Sequence, residues 1–169
     1  MIRPALALLA ILIGLPSSAS AAPVAASPAA KNKATLVKPL SLIKTGDLEF
    51  GRVSVGAAAG TVTINAVSDA RTVSGGVTLM GGVTLAARFL SYGTRGSLLL
   101  ITRGPLPVLT RAGGTETMAV TNLTLNGAGI RLIAADGTLD LRVGGTLAVA
   151  ANQAEGEYAG TFDIYVNYF

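Results

Sequence analysis

Apolar and polar residues alternate with a period of two along much of the chain, most clearly over its last fourteen residues. The large apolar residues on one side of this segment are Tyr158, Phe162, Ile164, Val166 and Tyr168. The polar residues on the other side are Glu157, Thr161, Asp163 and Asn167. This alternation predicts a half-buried β-strand. Since five of the chain's eight aromatic residues lie here, we expect the strand in the middle of a sheet.

Shorter runs predict strands near residues 35–44, 47–55, 61–64, 70–73, 86–92, 98–102, 115–125, 130–133, 139–143 and 147–149. The runs 86–92 and 98–102 are expected to form a hairpin, and the continuous apolar run in the second predicts burial on both faces. A slip in parity near Asn122 predicts a β-bulge. The glycine pairs are interpreted as turns or breaks: Gly75-Gly76, Gly81-Gly82 and Gly144-Gly145.

No apolar positions keep a helical period of 3.6 residues over three turns. Twenty-one glycines and many Val, Leu and Thr residues also suit short strands joined by tight turns. The sequence therefore predicts an all-β, immunoglobulin-like two-sheet β-sandwich of roughly seven to ten short strands.

The first 34 residues have a different composition. A basic start at Arg3, an apolar run over residues 5–15 and an Ala-x-Ala pattern ending at Ala21 predict a secretory signal peptide over residues 1–21. Residues 22–34 are rich in Ala and Pro and are interpreted as a flexible leader. The sandwich domain is expected over residues 35–169. We therefore expect an exported protein of the periplasm, cell surface or extracellular space.

The residue types that are absent restrict the possible chemistry. The chain contains no Cys, His or Trp, so imidazole and thiolate metal sites and Ser-His-Asp or Cys-His catalysis are excluded. Thirteen basic and nine acidic residues give a net charge of +4, and they are dispersed with no basic run of the kind that follows a phosphate backbone. We expect no enzyme activity, no cofactor and no nucleic-acid partner.

Three weaker motifs have simpler explanations. Ser41 and Lys44 match the Ser-x-x-Lys motif of serine acyltransferases, but Lys44 would also have to serve in a second motif that needs its own lysine. Asp136 and Asp140 supply too few oxygen ligands for a calcium loop. Glu157 and Asp163 are separated by about 20 Å along an extended strand, which is too far for paired catalytic carboxylates.

Five segments together resemble a bacterial export family catalogued as domain of unknown function 4402. They are residues 39–42, 44–51, 60–64, 143–149 and 152–162. The resemblance covers most of the mature chain and is most specific at its two ends. It implies no established enzymatic activity.

The end of the chain also resembles fimbrial subunits assembled by a chaperone and an usher. Such subunits have a glycine fourteen residues from the end and a tyrosine next to last, and Gly156 and Tyr168 stand at those positions. The resemblance implies that the last strand, from Gly156 through Tyr158 and Phe162 to Tyr168, is the assembly strand. It also implies a periplasmic chaperone, an usher and like subunits as partners.

The other part that such an assembly needs is a donor strand. Residues 22–34 lack the large alternating side chains of a donor. The following segment, with Leu36, Leu40 and Leu42, either donates to a neighbour or forms the first strand of its own sandwich. The favoured function is accordingly a non-enzymatic structural or adhesive subunit of a cell-surface fibre, able to form a homopolymer. The alternative is a self-complete secreted β-sandwich that binds carbohydrate or protein, with Tyr92 and Tyr165 as candidate contacts.

Overall fold

A computed structural model describes residues 33–169, and within this range the chain forms eleven β-strands and no helix. The compact unit is Leu36–Phe169. Its strands are β1 Ser41–Gly46, β2 Val53–Ile64, β3 Arg71–Leu79, β4 Ala87–Tyr92, β5 Leu98–Arg103, β6 Val108–Arg111, β7 Thr117–Leu125, β8 Ile130–Leu132, β9 Thr138–Val149, β10 Tyr158–Ala159 and β11 Ile164–Tyr168. The all-β prediction is confirmed, and the predicted signal peptide lies outside the described residues.

The strands form two sheets, as a β-sandwich requires. The larger sheet has eight strands in the order β1-β4-β9-β7-β6-β10, with β2 paired to β9 and β3 paired to β2. The smaller sheet has three strands in the order β11-β5-β8. All strand pairs are antiparallel, which suits the short connections between the strands.

Strand β9 is the centre of the larger sheet because it pairs with three strands. Residues 138–143 of β9 pair with β4, and residues 145–149 pair with β2. Its other edge pairs with β7 over residues 143–147. Gly144 lies between the β4 and β2 segments, and a Cβ there would collide with the backbone of Ile64 and Ala66. The glycine lets the end of β2 approach β9 closely.

Core side chains come mainly from the inner face of the larger sheet. Fully buried members include Val62 and Ile64 of β2 with Val143 of β9. Two residues of the terminal segment, Phe162 and Ile164, pack against this cluster, and Ile164 belongs to the smaller sheet. The smaller sheet adds Leu99 and Ile101 to the buried interior. Apolar burial of this kind is the main stabilising contribution to a chain without disulfides.

Several strand predictions need correction. The expected hairpin between residues 86–92 and 98–102 is wrong, because β4 pairs with β1 and β9 whereas β5 pairs with β11 and β8. Two glycine pairs expected to break strands, Gly75-Gly76 and Gly144-Gly145, lie inside β3 and β9. The expected strand at 47–55 is replaced by β2, which begins at Val53. The bulge is confirmed by a register shift between Val120 and Asn122.

Candidate functional site: the free edge of the last strand

The terminal segment divides between the two sheets, so the single long strand expected from its alternation is wrong. Strand β10 pairs with β6 in the larger sheet, and β11 pairs with β5 in the smaller one. Gly160 lies at the crossing, where a Cβ would come within 2.7 Å of the carbonyl oxygen of Val108. The close backbone approach explains why the chain uses glycine there.

The expected faces of the segment are confirmed even though its continuity is not. Phe162, Ile164, Val166 and Tyr168 are all half-buried, whereas Thr161, Asp163 and Asn167 are exposed. The ring of Phe162 meets the ring of Phe89 edge-on, with centroids 6.3 Å apart and planes at 77°. This edge-to-face geometry is favourable for an aromatic pair.

Strand β11 lies at an edge of its sheet, which corrects the expectation of a central strand. Asp163 and Phe169 make backbone hydrogen bonds to Gly104 and Leu98 at the two ends of its pairing with β5. In an antiparallel ladder every second residue bonds to the same neighbour. The N–H and C=O groups of Tyr165 and Asn167 therefore point toward β5, and those of Ile164, Val166 and Tyr168 point away from it. Among residues 33–169, no second strand pairs with that outer edge.

A small cleft opens between residues 160–162, which lead into β11, and residues of β1 and β4, the outermost two strands of the larger sheet on that side. Its volume is about 140 Å³. The apolar lining includes Leu48, Phe89 and Phe162. Lys44 and Asp47 stand at the cleft and form an ion pair of 2.7 Å. The cleft thus combines apolar walls with a polar rim next to the segment that leads into β11.

The hydroxyl of Tyr168 connects β11 to the start of the domain. It donates a hydrogen bond to the carbonyl oxygen of Lys38 at 2.7 Å and accepts one from the N–H of Thr94 at 2.8 Å. The N–H of Lys38 in turn donates to the hydroxyl of Thr94 at 2.7 Å. The segment that leads into β1 is therefore held at the end of β11. Tyr168 was predicted as an assembly residue, and the structure gives it this contact within its own chain.

The other two predicted positions of the terminal segment lie away from the free edge. The hydroxyl of Tyr158 donates to the carbonyl oxygen of Ala154 at 2.7 Å and accepts from Gln153 at 2.8 Å. Gly156 has a φ of +145°, and a Cβ there would come within 2.9 Å of the side chain of Arg111. Both residues shape the connection that leads into β10.

Arg111 is itself held by an acidic partner. Its guanidinium bonds to Glu116 at 2.6 Å. This hydrogen bond is the main reason why the pKa of Glu116 falls to about 2, and the same bond raises the pKa of Arg111. The ion pair keeps the arginine stem packed beside Gly156, where the terminal segment joins the larger sheet.

Only part of the segment predicted as a donor or first strand forms a strand in the structure. Leu42 belongs to β1, where it pairs with Ser91 of the same chain. Leu36 and Leu40 precede the strand, and Leu36 is 98% exposed whereas Leu40 is half-buried. The expected strand at 35–44 thus begins at Ser41, and the residues from 41 onward are already paired within the chain.

The discounted motifs have local explanations. Ser41 lies on β1 and Lys44 pairs with Asp47. The carboxylate of Asp136 accepts hydrogen bonds from the side chain and backbone of Thr138, which lower its pKa. In the described part of the chain, no three Asp or Glu side chains are grouped as they would be to hold a metal ion.

Sequence reasoning missed the contacts that bring distant segments together. Asp69, with a φ of 59°, accepts hydrogen bonds from the N–H of Ala86 at 2.8 Å and from Arg88 at 2.7 Å. The bond from Ala86 is the main cause of the lowered pKa of Asp69. Thr94 and Lys38 likewise had no local signal, because their partner Tyr168 is far away in the sequence.

A comparison with protein families places the chain in one of them. The family described as domain of unknown function (DUF4402) matches residues 40–168, so the protein belongs to this family. No curated protein and no solved structure matches the chain. Residues 33–169 contain no helix of the length and apolar character needed to span a bilayer.

Proposed function

We propose that the protein is an exported structural subunit of a cell-surface fibre, and that a neighbouring subunit adds a strand to the free edge of β11. The observation that carries this proposal is the edge itself. Three alternate residues, Ile164, Val166 and Tyr168, direct their backbone N–H and C=O groups to the free edge. No other strand in residues 33–169 takes up these donors and acceptors. Addition of an extended segment to such an edge is a common mode of protein recognition.

The edge lacks the devices that normally block strand addition. Natural edge strands are protected by lysines, prolines, bulges or a covering loop. The sequence of β11, Ile-Tyr-Val-Asn-Tyr, has no charge and no proline, and its register with β5 is continuous. An open, regular and uncharged edge is what an incoming strand needs.

The adjoining cleft supplies a place for a side chain at one end of the incoming strand. Phe89 and Phe162 line it, and both belong to or pack against the core. Every second side chain of an added strand would point toward the inner face of the sheet. The cleft would lie beside the end of that strand, where β11 begins. The donor that suits this geometry is the segment around Leu36 and Leu40 of a neighbouring subunit, since β1 begins at Ser41 and is already paired with β4.

The proposal also assigns the partners and the location. A free edge of this kind aggregates unless it is covered before assembly. A periplasmic chaperone would cover β11 and an usher would exchange the chaperone for the next subunit. The signal peptide proposed over residues 1–21 would direct the chain to that compartment.

A second candidate is a self-complete binding module. It is favoured by the pairing of β1 with β4 of the same chain, which gives the larger sheet its outermost strand without a neighbour. It is also consistent with the exposure of Tyr92 and Tyr165, since exposed aromatic side chains can contact a carbohydrate or protein ligand. The two candidates differ in whether the edge of β11 is occupied in the working state.

Proline substitutions at neighbouring positions of β11 test the proposal. Val166→Pro removes an N–H that points to the free edge and leaves the bonds to β5 in place. The matched variant Asn167→Pro removes an N–H that bonds to β5, so it should lower the melting temperature. The measurements are light scattering, negative-stain imaging and thermal melting of the chain from residue 22 onward.

We expect the unsubstituted chain to form oligomers that grow with concentration and resist mild denaturant. Val166→Pro should stay folded and form no fibres. A deletion of residues 22–40, which keeps β1, should also form no fibres, and a peptide of residues 22–40 should then raise its melting temperature. If the unsubstituted chain stays monomeric at high concentration, or if Val166→Pro assembles normally, the proposal is wrong.

A further inference from the structure

The smaller sheet carries large apolar side chains on its outer face as well as its inner one. Across the β5–β8 pair, Leu98 stands opposite Leu132 and Leu100 stands opposite Ile130. On the other side of β5, Phe169 stands beside Leu98, joined by a backbone hydrogen bond of 2.9 Å. These residues and Tyr165 form what we call the outer patch: Leu98, Leu100, Ile130, Leu132, Tyr165 and Phe169.

Five residues of the outer patch are exposed in the single chain, and Leu100 is half-buried. The exposed fractions are 42% for Leu98, 46% for Ile130, 59% for Leu132, 51% for Tyr165 and 74% for Phe169. The intervening residues Leu99 and Ile101 are buried on the inner face. The sequence predicted that the run from Leu98 to Ile101 is buried on both faces, but one chain buries only one of them.

The larger sheet shows what an ordinary solvated face looks like. Along β7 the exposed residues are Thr117, Ala119, Thr121, Asn122 and Thr124. An antiparallel sheet with one wet face normally has this polar outer side. The outer patch departs from that pattern, although the exposed polar residues Thr102 and Asn167 lie on the same face, paired with Tyr165 and Leu100. Exposed apolar surface of its size usually marks an interaction site.

We propose that the outer patch is a self-association surface, on which the smaller sheets of two copies of this chain pack face to face. The size of the patch suits a second copy. From typical areas of large side chains, its exposed part is about 600 Å² per copy. Two copies would then bury about 1,200 Å², which reaches the lower limit for specific protein interfaces.

Local charge does not oppose a second copy. None of the six side chains of the outer patch is charged, so two copies with a net charge of +4 can meet there without placing like charges opposite each other. A two-fold interface brings the same surface of both copies together and needs only that this surface complement itself. A flat face of aliphatic and aromatic residues meets that condition.

This contact is separate from strand addition at β11. The free backbone groups of Ile164 and Val166 lie in the plane of the smaller sheet, whereas the side chains of the outer patch stand perpendicular to it. Both contacts can therefore be made at once. Strand addition would extend a row of subunits, and face-to-face packing would join two rows sideways.

Sedimentation equilibrium of the Val166→Pro chain tests the patch with strand addition blocked. Leu132→Lys should weaken the dimer at least tenfold, because it places a charge inside an apolar contact. Met80→Lys is the matched control, since Met80 is 61% exposed, close to the 59% of Leu132, and lies on another surface. It should leave the dimer unchanged. Tyr165→Lys is a second patch variant, and thermal melting shows which variants fold.

Cysteine cross-linking provides an independent readout because the chain has no cysteine. Leu98 lies on β5, the central strand of the smaller sheet, so under mild oxidation Leu98→Cys should give a disulfide-linked dimer. Met80→Cys, which is more exposed, should stay mostly monomeric. Equal cross-linking of the two variants, equal dimerisation of the two lysine variants, or a monomer that never dimerises would overturn the proposal. A monomeric Val166→Pro chain would not affect the fibre proposal, so the two ideas fail separately.

Discussion

Strands β9 and β11 both alternate apolar and polar residues, but they hold opposite positions in the fold. Strand β9 has no aromatic residue and a Gly-Gly pair at its middle, yet it pairs with β2, β4 and β7. Strand β11 has two tyrosines and pairs only with β5 among the described strands. Bulky side chains therefore do not place a strand at the centre of a sheet. A strand becomes central when other backbones can approach it closely on both edges.

The largest expected effect comes from truncating the centre. Leu141 of β9 is fully buried, so Leu141→Ala should destabilise the domain by about 2–5 kcal/mol. Val166→Ala in β11 should cost less, because Val166 is only half-buried and lies at an edge. Chemical denaturation of both variants measures the difference. An equal loss of unfolding free energy in the two variants would mean that β11 is as deeply embedded as β9, which would contradict its position at a sheet edge.

The glycine at the middle of β9 gives the next largest effect. Gly144→Ala should cost about 1–3 kcal/mol, because the new methyl group collides with the backbone of Ile64 and Ala66. Gly56→Ala is the control, since nothing lies within 4 Å of its added Cβ. The control should be neutral or slightly stabilising. Equal melting temperatures for the two variants would refute the close-approach explanation.

At the edge strand, the tyrosine hydroxyl is expected to matter moderately. Tyr168→Phe removes the hydrogen bonds to Lys38 and from Thr94, so it should cost about 1–2 kcal/mol. It should also speed amide exchange at Lys38, because the segment before β1 loses its tie. Thermal melting and amide exchange check the two effects. No change in the exchange of Lys38 would show that this tie does not hold the segment.

The smallest expected effect is a pH dependence at the other end of the terminal segment. Glu116 has a pKa of about 2, lowered from 4.5 by its bond to Arg111. The stabilisation from this pair is therefore complete above pH 4.5 and is lost as the pH falls through about 2. Carbon-detected NMR titration of the Glu116 carboxyl should show the low midpoint. Arg111→Gln should move the midpoint toward 4.5, and an unchanged midpoint would contradict the assignment.

Alternation in the sequence predicted the faces of the side chains well. The inward residues Phe162, Ile164 and Val166 and the outward residues Thr161 and Asp163 are as expected. Period-two alternation reports only the direction of each side chain, and it carries no information on which strand pairs with either edge. The central position expected for β11 failed for that reason.

The remaining errors have two physical causes. Gly144-Gly145 was expected to end a strand, because glycine is a weak strand former and the sequence does not show which backbone approaches it. The hydroxyl of Tyr168 bonds to Lys38, which is 130 positions away in the sequence, and to Thr94, which is 74 positions away. Contacts over such separations leave no local pattern, so the free edge was predictable only in part.

Amide hydrogen exchange along β11 tests the central claim most directly. In the monomer at low concentration, the N–H groups of Tyr165 and Asn167 should be protected by β5, whereas those of Ile164 and Val166 should exchange quickly. In assembled material the N–H of Val166 should become protected, because a neighbouring strand takes it up. If Val166 is as protected as Asn167 in the monomer, or stays unprotected after assembly, the edge of β11 is not the acceptor.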